Sequence, residues 1–188
     1  MAKRKEKIHI ETIVVNLFGE PSAGKSTAAM DITAKLKRKG INAEYISEFA
    51  KDKLYENNGE VFKHQEYLFG KQSFKMGRVK DKVQVMVTDS PLVLSIIYNQ
   101  NKYLHESFDE AVMDVFNSYN NKNYMLLRNH PYENEGRFQN ESEANDVSAK
   151  ILSELERLGV EWYSATSSPE DCEKIANEIV KEIKKNEQ

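Results

Sequence analysis

An α/β domain with a parallel sheet covered by helices on both faces is what this sequence predicts. Apolar, strand-like runs alternate along the whole chain with stretches whose apolar residues recur at three- and four-residue spacing. Runs such as Val83-Gln84-Val85-Met86-Val87 suit strands buried on both sides, as in a parallel sheet. A third observation locates the working edge. The segment Gly19-Glu20-Pro21-Ser22-Ala23-Gly24-Lys25-Ser26-Thr27 follows the apolar run Ile13–Phe18 and opens a helical pattern, which is where a phosphate-binding P-loop has to sit.

Taken in order, strands are expected at Ile13–Phe18 and over 43–47, 83–88, 124–127 and 161–165. The first helix runs from Lys25 to Arg38 and stops at Gly40. A second helical region covers 49–80 with a break near Asn57-Asn58-Gly59. A third follows Pro91 and, after the polar Asn99-Gln100-Asn101, continues to Asn117. The last two are expected over 141–158 and 169–185. Between the fourth strand and the helix at 141, residues 128–140 are polar, aperiodic and hold Pro131 and Gly136. Loops of this length in compact domains tend to be lids, and this one is read as a short lid.

The length, 188 residues, fits one domain over 1–188, with 1–9 as a flexible basic tail. A net charge of -3 gives no global basic field, so any polynucleotide contact has to be local. Cys172 is the only cysteine, which excludes an intramolecular disulfide and any cysteine-rich metal site, and points to a reducing compartment. No apolar run approaches the roughly 20 residues of a membrane span, and Met1 to Lys7 lack the apolar core of a secretory signal. The expectation is a soluble, cytoplasmic protein with no membrane partner.

The spacing G-x-x-x-x-G-K-[ST] is demanding, because backbone N–H groups must turn inward onto phosphate oxygens and Gly19 and Gly24 remove the Cβ atoms that would hinder the turn. Residues 19–27 are therefore the expected nucleotide cradle, with Lys25 reaching the β- and γ-phosphates and the Ser26 hydroxyl on Mg²⁺. Asp89 ends the third strand, in Thr88-Asp89-Ser90-Pro91, and is placed either to hold Mg²⁺ or to cap a helix. Glu48 follows the second strand at the carboxyl edge, where open α/β sheets bind ligands, and is positioned to orient or deprotonate an acceptor hydroxyl. Arg128 and Arg137 flank the lid; guanidinium groups supplied by a closing loop stabilise the charge of a moving phosphoryl group. In the helix after Asn58, Phe69 is a candidate ring for stacking on the acceptor and Gln72 a candidate for reading its polar edge, though aromatics at such spacing are usually core.

These features together resemble the P-loop nucleoside and nucleotide kinases, and within them the nicotinamide riboside kinase-like group and its phage relatives. The likeness rests on 19–27, on Ser47-Glu48-Phe49-Ala50-Lys51, on Gln72 and on Thr88-Asp89-Ser90. It implies a three-layer α/β fold, ATP and Mg²⁺ as cofactors, and an ATP-dependent phosphotransferase acting on a small nucleoside-like acceptor held between Glu48, the Gln72 helix and the lid. Lys51 stands where that group more often has arginine, and Ser90-Pro91 where riboside kinases carry a second acid. An ammonium does not copy a bidentate guanidinium, so the acceptor stays open between a nucleoside, a monophosphate and a modified base within DNA. The alternative of another class is a P-loop ATPase or nucleotide-dependent switch whose acceptor is water.

Overall fold

The structure is a computed structural model and describes residues 11–56, 59–99, 104–129 and 141–186. Its strands are β1 (Ile13–Phe18), β2 (Ala43–Ile46), β3 (Val85–Thr88), β4 (Asn120–Leu126) and β5 (Tyr163–Ala165). Its helices are α1 (Lys25–Arg38), α2 (Phe49–Tyr55), α3 (Gln65–Gly77), α4 (Leu94–Ile97), α5 (Glu106–Asn117), α6 (Glu141–Arg157) and α7 (Pro169–Asn186), with a 3-10 turn at Gly59–Lys63. The strands form one sheet in the order β2-β3-β1-β4-β5, every neighbouring pair parallel.

The apolar run that precedes the P-loop is central because it can be buried on both faces. Ile13, Val15 and Leu17 face a core closed by Ile32 and Leu36 of α1 and by Ile175 and Ile179 of α7. Val14 and Phe18 face the opposite core, closed by Met76 of α3, Ile97 of α4, Val112 and Phe116 of α5, and Ile151 and Leu155 of α6. That is the period-two alternation of a strand, with both sets of side chains buried and the helices layered on each side. Each fully buried aliphatic contributes about 1.5–3 kcal/mol of transfer free energy.

Where strand limits differ from the sequence expectation, a side chain has claimed the backbone. β4 begins at Asn120, four residues before the expected 124, because its asparagines pair across the sheet: Asn16 Nδ2 donates to Asn121 Oδ1 at 2.9 Å and to Asn123 Oδ1 at 3.0 Å. Asparagine is a poor strand former alone, so the polar start carried no strand signal. β5 begins at Tyr163 and not at 161, since the Glu161 carbonyl accepts from Asn123 Nδ2 at 2.9 Å. β2 ends at Ile46 where Lys75 Nζ takes the Ser47 carbonyl at 2.6 Å, and at β3 the Thr12 hydroxyl holds the Val83 carbonyl at 2.7 Å. The expected helix over 49–80 is divided into α2, the 3-10 turn and α3, which ends at Gly77. The expected third helical region is α4 and α5, with 100–103 outside the described residues. No helix among the described residues is long and apolar enough to cross a membrane.

Candidate active site

All five parallel strands deliver their carboxyl ends to one edge of the sheet, and the loop after β1, the middle strand, is its centre. Gly19 (φ +149°) and Gly24 (φ +79°) carry left-handed backbone, and Ser22 joins them at φ 68°. A Cβ on Gly19 would stand 2.8 Å from the Leu126 carbonyl oxygen and 3.3 Å from the Ala23 Cβ, so no larger residue fits there. Gly24 is the N-cap of α1 and no side chain caps it, which leaves the first N–H groups of α1 directed at the loop's hollow. Lys25 Nζ closes that hollow by donating to the Gly19 and Glu20 carbonyls, both at 2.8 Å. Ala23 is fully buried, Pro21 is half-buried and Thr27 is exposed.

The Glu20 side chain turns away from the cradle. It is 7 % exposed and its Oε1 lies 3.1 Å from Arg128 Nε, so only its backbone borders the phosphate position. Arg128 is thereby placed otherwise than the sequence led us to expect. Its side chain is well covered and ion-paired beneath the loop, and not presented as a free arm that closes over a ligand. Arg137, with the rest of the lid at 130–140, lies outside the described residues.

Asp89 ties three elements together. It is 2 % exposed, and its carboxylate accepts from the Ser26 hydroxyl at 2.6 Å, the Tyr45 hydroxyl at 2.7 Å and the Glu48 backbone N–H at 3.0 Å. A buried carboxylate needs such donors to offset its lost hydration, and three of them fix its orientation. Ser26 and Asp89 present a hydroxyl and a carboxylate at one point beside the P-loop lysine. That all-oxygen pair fits Mg²⁺, which takes one or two protein ligands and fills its other positions with phosphate oxygens and water. Among the described residues no group of three or more His, Cys, Asp and Glu is placed to hold a metal.

Glu48 lies in the same cleft. Its negative charge acts on two tyrosines, Tyr45 of β2 and Tyr98 just after α4. Burial, then the hydrogen bond to Asp89, pushes the Tyr45 hydroxyl well above its ordinary value. Burial, then the charge of Glu48, pushes Tyr98 up to about 12. Both are neutral hydrogen-bonding groups at physiological pH. The sequence reading missed them, and only the period-two position of Tyr45, one residue before the end of β2, hinted that its hydroxyl reaches this edge.

The two α3 candidates are used otherwise. Gln72 is 5 % exposed; its Oε1 accepts from the Phe49 N–H at 3.1 Å and its Nε2 donates to the Thr88 hydroxyl at 3.3 Å. In this arrangement it braces the Glu48–Phe49 corner against β3 and does not offer its amide to a ligand. Phe69 packs into the second core, edge-on to Phe108 of α5 with ring centroids 5.9 Å apart, which is the core use of an aromatic.

A family model described as an AAA domain matches residues 14–171. No curated protein matches the chain. Among solved structures, the chain is similar to the deoxyadenosine kinase of M. mycoides with the products dCMP and a flexible dCDP bound, at a TM-score of 0.56 and 15% identity over 89% of this chain and 99% of that one. The same enzyme with bound dATP gives a TM-score of 0.55 and 16% identity over 88% of this chain and 98% of that one. At such identity the likeness is one of fold, an α/β P-loop kinase fold with an all-parallel sheet of five strands.

Proposed function

The chain belongs to the AAA-domain family whose model spans 14–171, and on that premise we propose that it is a Mg²⁺-ATP-dependent phosphotransferase acting on a nucleoside-like acceptor. The observation that carries the reading is the position of Glu48. Its own N–H is held by the carboxylate that also holds the Ser26 hydroxyl, which supports a role for its acidic side chain beside the place of the γ-phosphate. An ATP-hydrolysing switch also needs a group that positions its water, so Glu48 supports activation of a nucleophile and the identity of that nucleophile separates the two readings. The deoxyadenosine kinase fold adds weight to a nucleoside or nucleotide as acceptor.

In this reading Lys25 exchanges the Gly19 and Glu20 carbonyls for β- and γ-phosphate oxygens, while the N–H groups at the start of α1 meet the rest of the charge. Ser26 and Asp89 would hold Mg²⁺, which would supply positive charge to offset that of the phosphates. The Ser26 hydroxyl, which donates to Asp89 at 2.6 Å, would offer its oxygen lone pair to the ion while keeping its proton on the carboxylate side. Glu48 orients the acceptor hydroxyl and receives its proton if transfer is to an alcohol, within the reach of about 3 Å that a general base needs. The Tyr45 hydroxyl reaches the same point through Asp89, and Tyr98 lies close enough to feel the charge of Glu48. Arg128 supports the loop through Glu20, and Arg137 is the arginine proposed to meet the charge of the transferring group.

The test is a phosphoryl-transfer screen with γ-labelled ATP over nucleosides, nucleoside monophosphates and oligonucleotides carrying hydroxymethylated bases. Label should appear on one acceptor class, and Lys25→Ala and Glu48→Gln should both abolish it while melting as the parent does. Label released only as inorganic phosphate, at the same rate with and without acceptors, would establish the ATPase-switch alternative.

A further inference from the structure

The outward face of α3 repeats an aromatic and a cation twice: Tyr67, Lys71, Phe74, Arg78, at spacings of four, three and four, so all four lie on one stripe of the helix. Lys71 Nζ lies over the Tyr67 ring at 5.4 Å and the Arg78 guanidinium over the Phe74 ring at 5.6 Å. The rings are not core. Tyr67 is 39% exposed and Phe74 67%, while the other side of the helix is anchored by Leu68, Gln72 and Met76. Neither Lys71 nor Arg78 makes an ion pair among the described residues, and no acid interrupts the stripe. At its ligand-side end Tyr67 meets Phe49 edge-on, with centroids 5.7 Å apart, and Phe49 follows Glu48 directly.

We propose that this stripe of α3 binds a single-stranded polynucleotide and leads one of its nucleotides to the Glu48 corner. The proposal rests on the phosphotransferase reading for what happens at that corner. Exposed rings bracketed by cations form a stacking platform with phosphate partners, and stacking is open to any base. Seven residues separate the two rings, and seven the two cations, which on a helix is about 10 Å, the length of about three stacked nucleotides. An acidic protein surface would pair with the cations but would leave the exposed Phe74 without a role. The small net charge of the chain is no obstacle, because the required field is confined to one helix face.

The measurement is fluorescence anisotropy of the full chain with a labelled oligodeoxythymidine of 12 nucleotides, together with ATP affinity and a melting curve for each sample. The parent is expected to bind the oligonucleotide, and Phe74→Ala and Tyr67→Ala each to weaken binding roughly tenfold. The Lys71→Gln, Arg78→Gln pair should reduce the slope of log affinity against log salt by about 1.4, two contacts' worth for a single strand. ATP affinity should stay at the parent value in all of these variants. A parent that binds ATP but not the oligonucleotide, variants that bind it as the parent does, or polyglutamate competing on equal terms would each overturn the stripe while leaving the phosphotransferase reading intact. A parent that fails to bind ATP would overturn the reading beneath it.

Discussion

Asp89 shows how much can hang on one carboxylate. It joins the P-loop through Ser26, β2 through Tyr45 and the acceptor corner through the Glu48 N–H, so it works as a structural node as well as a proposed metal ligand. Asp89→Asn keeps the shape but turns an NH₂ group towards hydroxyls that now donate. We expect a stability loss of about 1–3 kcal/mol from the mismatched hydrogen bonds. ATP affinity without Mg²⁺ should be near the parent's, and turnover should fall roughly a hundredfold at limiting Mg²⁺ and recover in part in excess Mg²⁺. A fall that excess Mg²⁺ does not relieve would make Asp89 a positioning group. Tyr98 gives a prediction with a sign. Its value is raised to about 12 from the ordinary 10.0, so the fold favours the protonated phenol. The stabilisation is complete below about pH 10 and is lost as the pH rises from about 10 towards 12. Tyr98→Phe, which cannot ionise, should flatten that alkaline limb of the melting temperature, and an unchanged limb would place its cause elsewhere.

At the scale of elements, the loop and its neighbours divide into parts legible in the sequence and parts that are not. The P-loop was legible because its constraint is local: two left-handed glycines and a lysine at fixed spacing, between a buried strand and a helix. Asp89 and Glu48 were legible as strand ends. The setting of Arg128 was not legible, because the sequence shows an arginine at the mouth of a loop and cannot show that Glu20, 108 residues earlier, pairs with it. The partners of Gln72 and Phe69 were not legible for a related reason: a helix pattern tells which residues share a face, not which neighbour that face meets. The two lid arginines should therefore behave differently. Arg128→Ala leaves the covered Glu20 carboxylate without its partner and should cost on the order of 3 kcal/mol, much of it recovered in Glu20→Gln/Arg128→Ala. Arg137→Ala should leave the melting temperature alone and lower kcat by roughly 10³-fold with little change in KM. A rise in KM for ATP with kcat unchanged would make Arg137 a binding clamp.

At the scale of the whole molecule, the two cores serve different ends. One packs α1 and α7 against the back of the sheet, and the other carries α3 to α6 and with them the Glu48 corner and the aromatic stripe. Ile179 lies 1% exposed in the first. Ile179→Ala should cost about 2–5 kcal/mol, roughly 5–15 °C in melting temperature for a chain of this size, with ATP affinity unchanged at 25 °C. A shift in ATP affinity larger than about twofold would mean that the two cores are coupled through the sheet. The strand order has a further consequence, for the chain as it is being made. β1 emerges first of the five yet lies between β3 and β4, whose partners for Ile13, Val85 and Asn120, are 72 and 107 residues further on. At synthesis rates of about 5–20 residues per second, the most apolar strand waits roughly 5–20 s for its second neighbour. During that interval the ribosome and whatever chaperones attend it hold a bare central strand, so the yield of native protein should respond to translation speed through 85–126 more than to codons in the P-loop itself.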